Sequence, residues 1–161
     1  MSGPNTLAVG QAIVGYMQAL TYSGGAQVYK AVTLSEQKDI TDNVAGGAAS
    51  LEVYANLDDS QHFAFNGKIR DTQSWFLLSL VSLDDAQAAE ALIYQVRDAL
   101  IQPFQEHATL GNAGNVFDSK IKPNSAKFLK IFRNGQWLRG HLIEIQTISE
   151  WFITTPPGVI S

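Results

Sequence analysis

The chain contains no cysteine, and only 16% of its residues are charged. The missing thiols exclude disulfides and thiolate metal sites, but they do not identify the redox compartment. Its three histidines, His62, His107 and His141, are far apart in sequence. The apolar segment Leu7–Leu20 is shorter than the ~20 residues that cross a bilayer, and no basic residue precedes it, so we expect neither a membrane span nor a signal peptide.

The charge balance argues against nucleic-acid binding. The net charge is −4, and the eleven lysines and arginines are scattered, whereas phosphate binding requires clustered cations. The nearest basic cluster runs from Lys120 to Arg139, and it is either a solvated hairpin or a local positive face. A 161-residue chain that is 45% apolar is expected to form one domain, residues 1–161, with part of its apolar surface covered by other subunits.

Sequence motifs for the common enzyme classes are absent. The chain has no Gly-x-Ser-x-Gly, no phosphate loop ending in Gly-Lys-Ser/Thr, no His-Glu-x-x-His and no dinucleotide fingerprint. Asp58, Asp59 and His62 could bind a divalent ion, but a polar turn accounts for them better. Asp84 and Asp85 could form an acid–base pair, but they fit the start of a helix. We therefore expect no metal, no cofactor and no enzymatic activity.

Hydrophobic periodicity and turn residues predict an α+β fold with a mixed, mainly antiparallel sheet, two main helices packed on it, and a short hairpin. Gly10 and Gly15 lower the helicity of the first helix, so the helix requires tertiary packing, or its glycine side lets a backbone approach closely. The first half of the chain is predicted to form a helix from Leu7 to Leu20 capped by Asn5 or Thr6, a strand from Gln27 to Leu34, a long polar loop from Ser35 to Ser50, and a strand from Ser50 to Asn56 with one buried and one solvent-facing side. A turn at 58–60, a short hairpin around Asn66 and Gly67, and a central strand from Trp75 to Leu83 follow. The predicted remainder is a helix from Asp84 that kinks or ends near Gln102 because of Pro103, a helix stop and loop at 110–115, and a stronger hairpin around Asn134 and Gly135 in which Phe132 and Trp137 pair across strands.

The order of these elements resembles that of the tail terminator proteins of long-tailed bacteriophages. The resemblance covers most of the chain and is carried by the helix Ala12–Leu20, the strand Ser50–Tyr54, the helix Ala89–Leu100 and the hairpin Phe132–Gln136. It implies a virion protein, assembled in the host cytoplasm, that forms a homohexameric ring. This ring caps the tail tube, ends its polymerisation and provides the joint to the head–tail connector or stopper protein. The hairpin around Gly67 and residues 151–161 look like additions to the minimal family pattern.

Three regions are predicted to contact other subunits or partners, including the tail tube protein. They are the loop Glu36–Ala49, the basic segment Lys120–Lys130, and the terminal segment 151–161, which is expected to be extended. The candidate contact residues are Lys38, Asp39, Asp42, Lys120, Lys122, Lys127, Trp151 and Phe152. Two alternatives remain open: another phage neck or tail component, such as a head-completion or tail tube protein, and a small cytoplasmic ligand-binding domain or enzyme.

Overall fold

A long, mainly antiparallel sheet with two helices on one face forms the frame of the protein. The computed structural model describes residues 5–65, 67–106 and 108–152, and the side chains of these ranges except 57–63 and 65. The elements are α1 (Thr6–Gln18), β1 (Ala31–Thr33), α2 (Ile40–Asn43), β2 (Ala49–Phe65), β3 (Lys68–Ser82), α3 (Ala86–Glu106), β4 (Val116–Ile121), β5 (Lys127–Arg133) and β6 (Gln136–Phe152). The predicted α+β class is therefore confirmed.

The strand order is β1-β2-β3-β6-β4, and β5 also pairs with β6. Among the strands in the described part of the chain, only β1 and β2 run parallel. Strand β3 pairs with β6 over its whole length, from Lys68 opposite Phe152 to Ser82 opposite Leu138. On its other side, β6 pairs first with β5 and then with β4. The sheet is thus organised around two long central strands, of which the sequence predicted only a part.

Both faces of the sheet bury apolar side chains. The main core lies under α1 and α3, where Ile13, Ile93 and Leu77 are completely buried. A smaller cluster on the opposite face joins Ile40 and Val44 to the sheet. Because the residues of a strand alternate between faces, β3 contributes to both clusters, which explains why the stretch from Trp75 to Leu83 shows little alternation in sequence.

The first helix forms as predicted. The backbone N–H of Ala8 donates to the Asn5 side chain at 3.0 Å, so Asn5 is the N-cap. Gly10 is buried, and a Cβ at this position would lie 2.9 Å from the Trp75 ring. The atoms closest to Gly10 therefore belong to the side chains of Leu34 and Trp75, and not to a backbone as the alternative prediction required.

Several predictions before β3 are wrong. Of the strand predicted at 27–34, residues 31–33 pair with residues 50–52 of β2, and Gln27 forms an isolated bridge with Thr21. The loop 35–50 is ordered around α2, since Ile40 and Val44 are spaced by one helical turn and both are buried. In the strand predicted at 50–56, Glu52 was expected to face solvent but is buried, and Ala55 was expected to be buried but is exposed. The turn predicted at 58–60 is continuous strand with a register shift between Asn56 and Gln61.

Later elements also differ from expectation. Helix α3 does not end near Gln102 but continues to Glu106 with Pro103 inside it. The missing proline N–H removes one helical hydrogen bond, and the last turn forms without it. Strand β4 was missed. Strand β6 runs on to Phe152, so the segment predicted as an extended terminus begins inside the sheet with a buried Trp151. The two hairpins form at 65–68 and 133–136. Residues 110–115, predicted as a helix stop and loop, form a short 3-10 segment with non-helical φ/ψ at residues 111–114. The predictions for 153–161, for His107 and for the side chains of Asp58, Asp59 and His62 lie outside the described residues.

Candidate interaction surface

The β5–β6 hairpin carries exposed aromatic side chains on the sheet face that packs against α3. Phe132 and Trp137 are opposite each other across the two strands, and their ring centroids are 5.2 Å apart. This confirms the predicted cross-strand pair. The two side chains nevertheless remain 57% and 53% exposed. An aromatic pair this accessible is unusual on a monomer surface and has the composition of an interface centre.

The aromatic surface continues from the hairpin to α3. Tyr94 of α3 makes an edge-to-face contact with Phe128 of β5, with centroids 5.4 Å apart. Tyr94 is half exposed, and Phe128 also packs on the His141 ring at 5.0 Å. The patch is therefore anchored in the core at His141 and open to solvent along its outer edge.

Two cations are interleaved with these rings. The Lys130 ammonium lies 5.5 Å from the centre of the Trp137 ring, and the Arg139 guanidinium lies 5.6 Å from that of Phe128. Arg139 also forms an ion pair with Glu90 of α3 at 2.6 Å. The Tyr94 hydroxyl donates a hydrogen bond to the Glu90 carboxylate, which raises the pKa of Tyr94. We define the aromatic ridge by these residues: Tyr94, Phe128, Lys130, Phe132, Trp137 and Arg139.

A groove lies on the other flank of α3. It consists of two adjoining cavities, of about 570 and 320 Å³, which share Gly47 and Leu92 as lining residues. Asp84 and Asp85 are exposed at the larger cavity, and Asp85 accepts a hydrogen bond from the Ala88 backbone N–H at 3.1 Å. The prediction that this pair begins a helix is confirmed. We define the acidic groove by these residues: Thr41, Gly46, Gly47, Asp84, Asp85, Ala88 and Leu92.

A buried ion pair holds the end of the β5–β6 hairpin against β2. Arg133 donates from both terminal nitrogens to the Glu52 carboxylate, at 2.6 and 2.8 Å. Glu52 also accepts from the Tyr54 hydroxyl at 2.5 Å and from the Gln37 backbone N–H at 2.7 Å. Burial alone raises the pKa of Glu52, but the hydrogen bonds from Arg133, Gln37 and Tyr54 together bring it below its usual value. This network fixes the loop before α2 to the sheet.

The predicted loop residues meet the hairpin tip. Lys38 and Asp39 precede α2, and the Lys38 carbonyl accepts from the Asn134 side chain at 3.4 Å. The Asp42 carbonyl accepts from the Lys30 ammonium at 2.7 Å. The predicted loop contact site is thus an ordered part of the hairpin end of the molecule.

The predicted basic and terminal contacts lie elsewhere. Lys120 in β4 and Lys127 at the start of β5 are exposed and pair with different parts of β6, and Lys122 forms an ion pair with Glu144 at 3.2 Å. Trp151 is buried, whereas Phe152 is 67% exposed with the Lys68 ammonium 5.1 Å from its ring centre. Because Phe152 ends the strand that the hairpin begins, these residues do not converge on one surface.

Reactive groups are not assembled into a site within the described residues. His141 is fully buried, and no hydrogen bond to either ring nitrogen occurs in this part of the chain. Burial, and to a smaller extent the positive charge of Arg97, lowers the pKa of His141 to about 4. The ring is therefore neutral near pH 7. No three His, Asp or Glu side chains in the described ranges are arranged to hold a metal ion. The geometry is suited to binding by surfaces.

Sequence reasoning missed most of these features. Two sequence signals point to the ridge: the alternation of Phe128, Lys130 and Phe132, and the one-turn spacing of Glu90 and Tyr94. A glutamate between Leu51 and Val53 signals a buried pair, but it does not identify Arg133 as the partner.

The described helices include none that is long and apolar enough to span a membrane. No known family model matches the chain. No curated protein matches it either.

Proposed function

We propose that the chain is a structural subunit that assembles into a ring, caps the tail tube of a long-tailed bacteriophage, and joins it to the head connector. The observation that carries the self-assembly is the placement of two different exposed surfaces on opposite flanks of α3, the aromatic ridge and the acidic groove. A subunit with two unlike surfaces associates head to tail, and head-to-tail contacts close into rings when the rotation between neighbours allows it.

The terminator role comes from the order of the elements. A first helix, a strand, a loop, further strands, a long second helix and a closing hairpin are what the resemblance to tail terminators implies, and α1, β2, α3 and the β5–β6 hairpin supply that order here. The partners in this role are further copies of the chain, the tail tube protein and a head–tail connector or stopper. The assembly belongs to the virion neck.

The surroundings of Asp84, Asp85 and His141 support an assembly role better than an enzymatic one. Asp84 and Asp85 begin α3, and His141 is buried beneath the ridge, so these three described titratable residues have structural explanations. Substituting Asp84 is therefore expected to change the self-association of the chain and no catalytic activity. Loss of phage viability in a folded, ring-forming Asp84→Asn variant would favour the enzyme alternative.

The first experiment measures native mass by sedimentation velocity across a concentration series, together with negative-stain imaging. We expect rings, or a monomer that shifts to rings as concentration rises. The second adds the protein to tail tube protein that is polymerising. Arrest of tube growth, with this protein only at tube ends, is the expected result. Incorporation along the length of the tube would instead identify a tube subunit, and no association with tubes would refute the terminator role.

A further inference from the structure

We infer that the aromatic ridge of one copy seats in the acidic groove of the next copy, and that this contact is the repeating interface of the ring. The inference rests on the proposed function for its setting, because it names the surfaces through which the ring would assemble. The occupant of the groove is thus a second copy of this chain.

The helical spacing of α3 separates the two surfaces. Successive helix residues are about 100° apart, so Ala88 and Leu92 share one flank. Glu90, Tyr94 and Arg97 share the other, with the buried stripe that includes Ile93 between them. On α3 the ridge and the groove therefore lie on different flanks, and they adjoin at the β5–β6 hairpin, where Gln136 lines the groove beside Trp137 of the ridge. A two-fold dimer would require one surface to meet itself, whereas this arrangement favours a heterologous contact.

The charges of the ridge and of the larger cavity of the groove are complementary, whereas Lys30 lines the smaller cavity. The ridge presents Lys130 on Trp137, and the groove presents the exposed carboxylates of Asp84 and Asp85. Charge of opposite sign on the two surfaces speeds encounter and fixes register, and it disfavours ridge-to-ridge or groove-to-groove pairing. The exposed aromatic rings supply the apolar area that a stable interface requires.

The shapes of the two surfaces also correspond. The ridge projects large side chains, whereas the groove is bordered by small ones, namely Gly46, Gly47 and Ala88. Gly46 and Gly47 have φ of +68° and +78°, and a Cβ built at either would meet no atom within 4 Å. Positive φ favours glycine there, which keeps this wall free of side chains. The larger cavity, about 570 Å³, has room for an aromatic side chain with an ammonium beside it.

A mixed-disulfide experiment tests the contact directly, since the native chain has no cysteine to interfere. Trp137→Cys and Ala88→Cys are made in separate chains, one with an affinity tag, and the chains are oxidised alone and mixed. We expect a disulfide only in the mixture, at the highest protein concentration attained. A Trp137→Cys homodimer would indicate two-fold pairing and would overturn the inference.

Affinity measurements supply the second arm. Trp137→Ser is expected to raise the dissociation constant for self-association at least about tenfold, as loss of a central aromatic does. Lys130→Glu and Asp84→Lys should each weaken it by about two- to fivefold, and the double variant should recover most of the loss. Phe117→Ser, which removes an exposed aromatic of β4 outside both surfaces, is the matched control and should have no effect. Circular dichroism and the thermal midpoint verify folding of each variant.

The outcomes separate this contact from the proposed function. If rings form without a mixed disulfide and the Trp137→Ser variant also forms them normally, the ridge-and-groove contact is wrong. The proposed ring-forming role is then unaffected. A wild-type chain that remains monomeric at every concentration and does not arrest tube growth overturns both.

Discussion

Replacing Glu52 by Gln is expected to destabilise the protein by about 2–4 kcal/mol, because it leaves the largely buried Arg133 guanidinium with only the exposed Glu36 carboxylate, 3.7 Å away, as a counter-charge. Breaking a buried pair by removing one partner costs about 3–5 kcal/mol, and we take a lower range because the Arg133 side chain retains 18% exposure to water. The Gln side chain also keeps one acceptor for the Gln37 amide, which offsets part of the loss.

Urea denaturation at pH 7 measures this effect. With a slope of about 2 kcal/mol per molar urea, the midpoint should fall by about 1–2 M. Hydrogen exchange should accelerate at the Gln37 amide and through α2, since the carboxylate connects that loop to the sheet. Glu150→Gln is the matched control: Glu150 pairs with Arg70 at 2.9 Å and Lys68 at 3.3 Å near the surface, and such pairs contribute about 0–1 kcal/mol.

A double variant separates charge burial from packing. Glu52→Gln combined with Arg133→Met removes both charges and keeps an amide oxygen at residue 52 as an acceptor for the Gln37 backbone N–H, and removing both members of a buried ion pair is often close to neutral. We therefore expect the double variant to be more stable than Glu52→Gln. A Glu52→Gln midpoint within about 0.3 M of wild type would refute the reasoning, because at the usual slopes it corresponds to less than about 1 kcal/mol.

The remaining predictions concern pH and two glycines. Because the folded pKa of His141 is lowered to about 4 from 6.5, the unfolded state binds the extra proton first, so stability is full above about pH 6.5 and should fall by about 3 kcal/mol as pH drops to 4. His141→Leu should flatten this part of the pH profile measured by urea titration, and an unchanged slope would contradict the assignment. Gly10→Ala should lower stability by about 1–3 kcal/mol because the added methyl meets the buried Trp75 ring, whereas Gly15→Ala, with open space around its Cβ, should raise stability by about 0.5–1 kcal/mol. Equal effects of the two alanines on the thermal midpoint would show that helix propensity outweighs the Trp75 contact.

The fold was predictable where one local signal decided the conformation. The Asn5 cap, the Asn134–Gly135 hairpin and the Asp85 helix start each depend on residues within a few positions of one another. Strand lengths were not predictable in this way. Strand β2 continues past residue 56 because β3 accompanies it through a register shift, and no residue near that point announces this long-range pairing.

The candidate surfaces were less accessible to sequence reasoning than the fold. Phe132 and Trp137 were identified as partners from the hairpin alone, but Tyr94 joins them only because α3 crosses that side of the sheet. The groove depends on the packing of α3 beside residues 41–47. Glu52 appeared to be a solvent-facing residue until Arg133, 81 positions later, supplied its counter-charge.

The full-length pairing of β3 with β6 also governs when the protein can fold. Every one of these pairs joins residues more than fifty positions apart, and β4 and β5 dock on β6 as well. Closing such distant contacts slows folding relative to local ones. During synthesis, β3 remains without its central partner until β6 has left the ribosome. The two long strands can therefore pair over their full length only after residue 152 has been made, so the α1–α3 face of β3 must wait for most of its sheet.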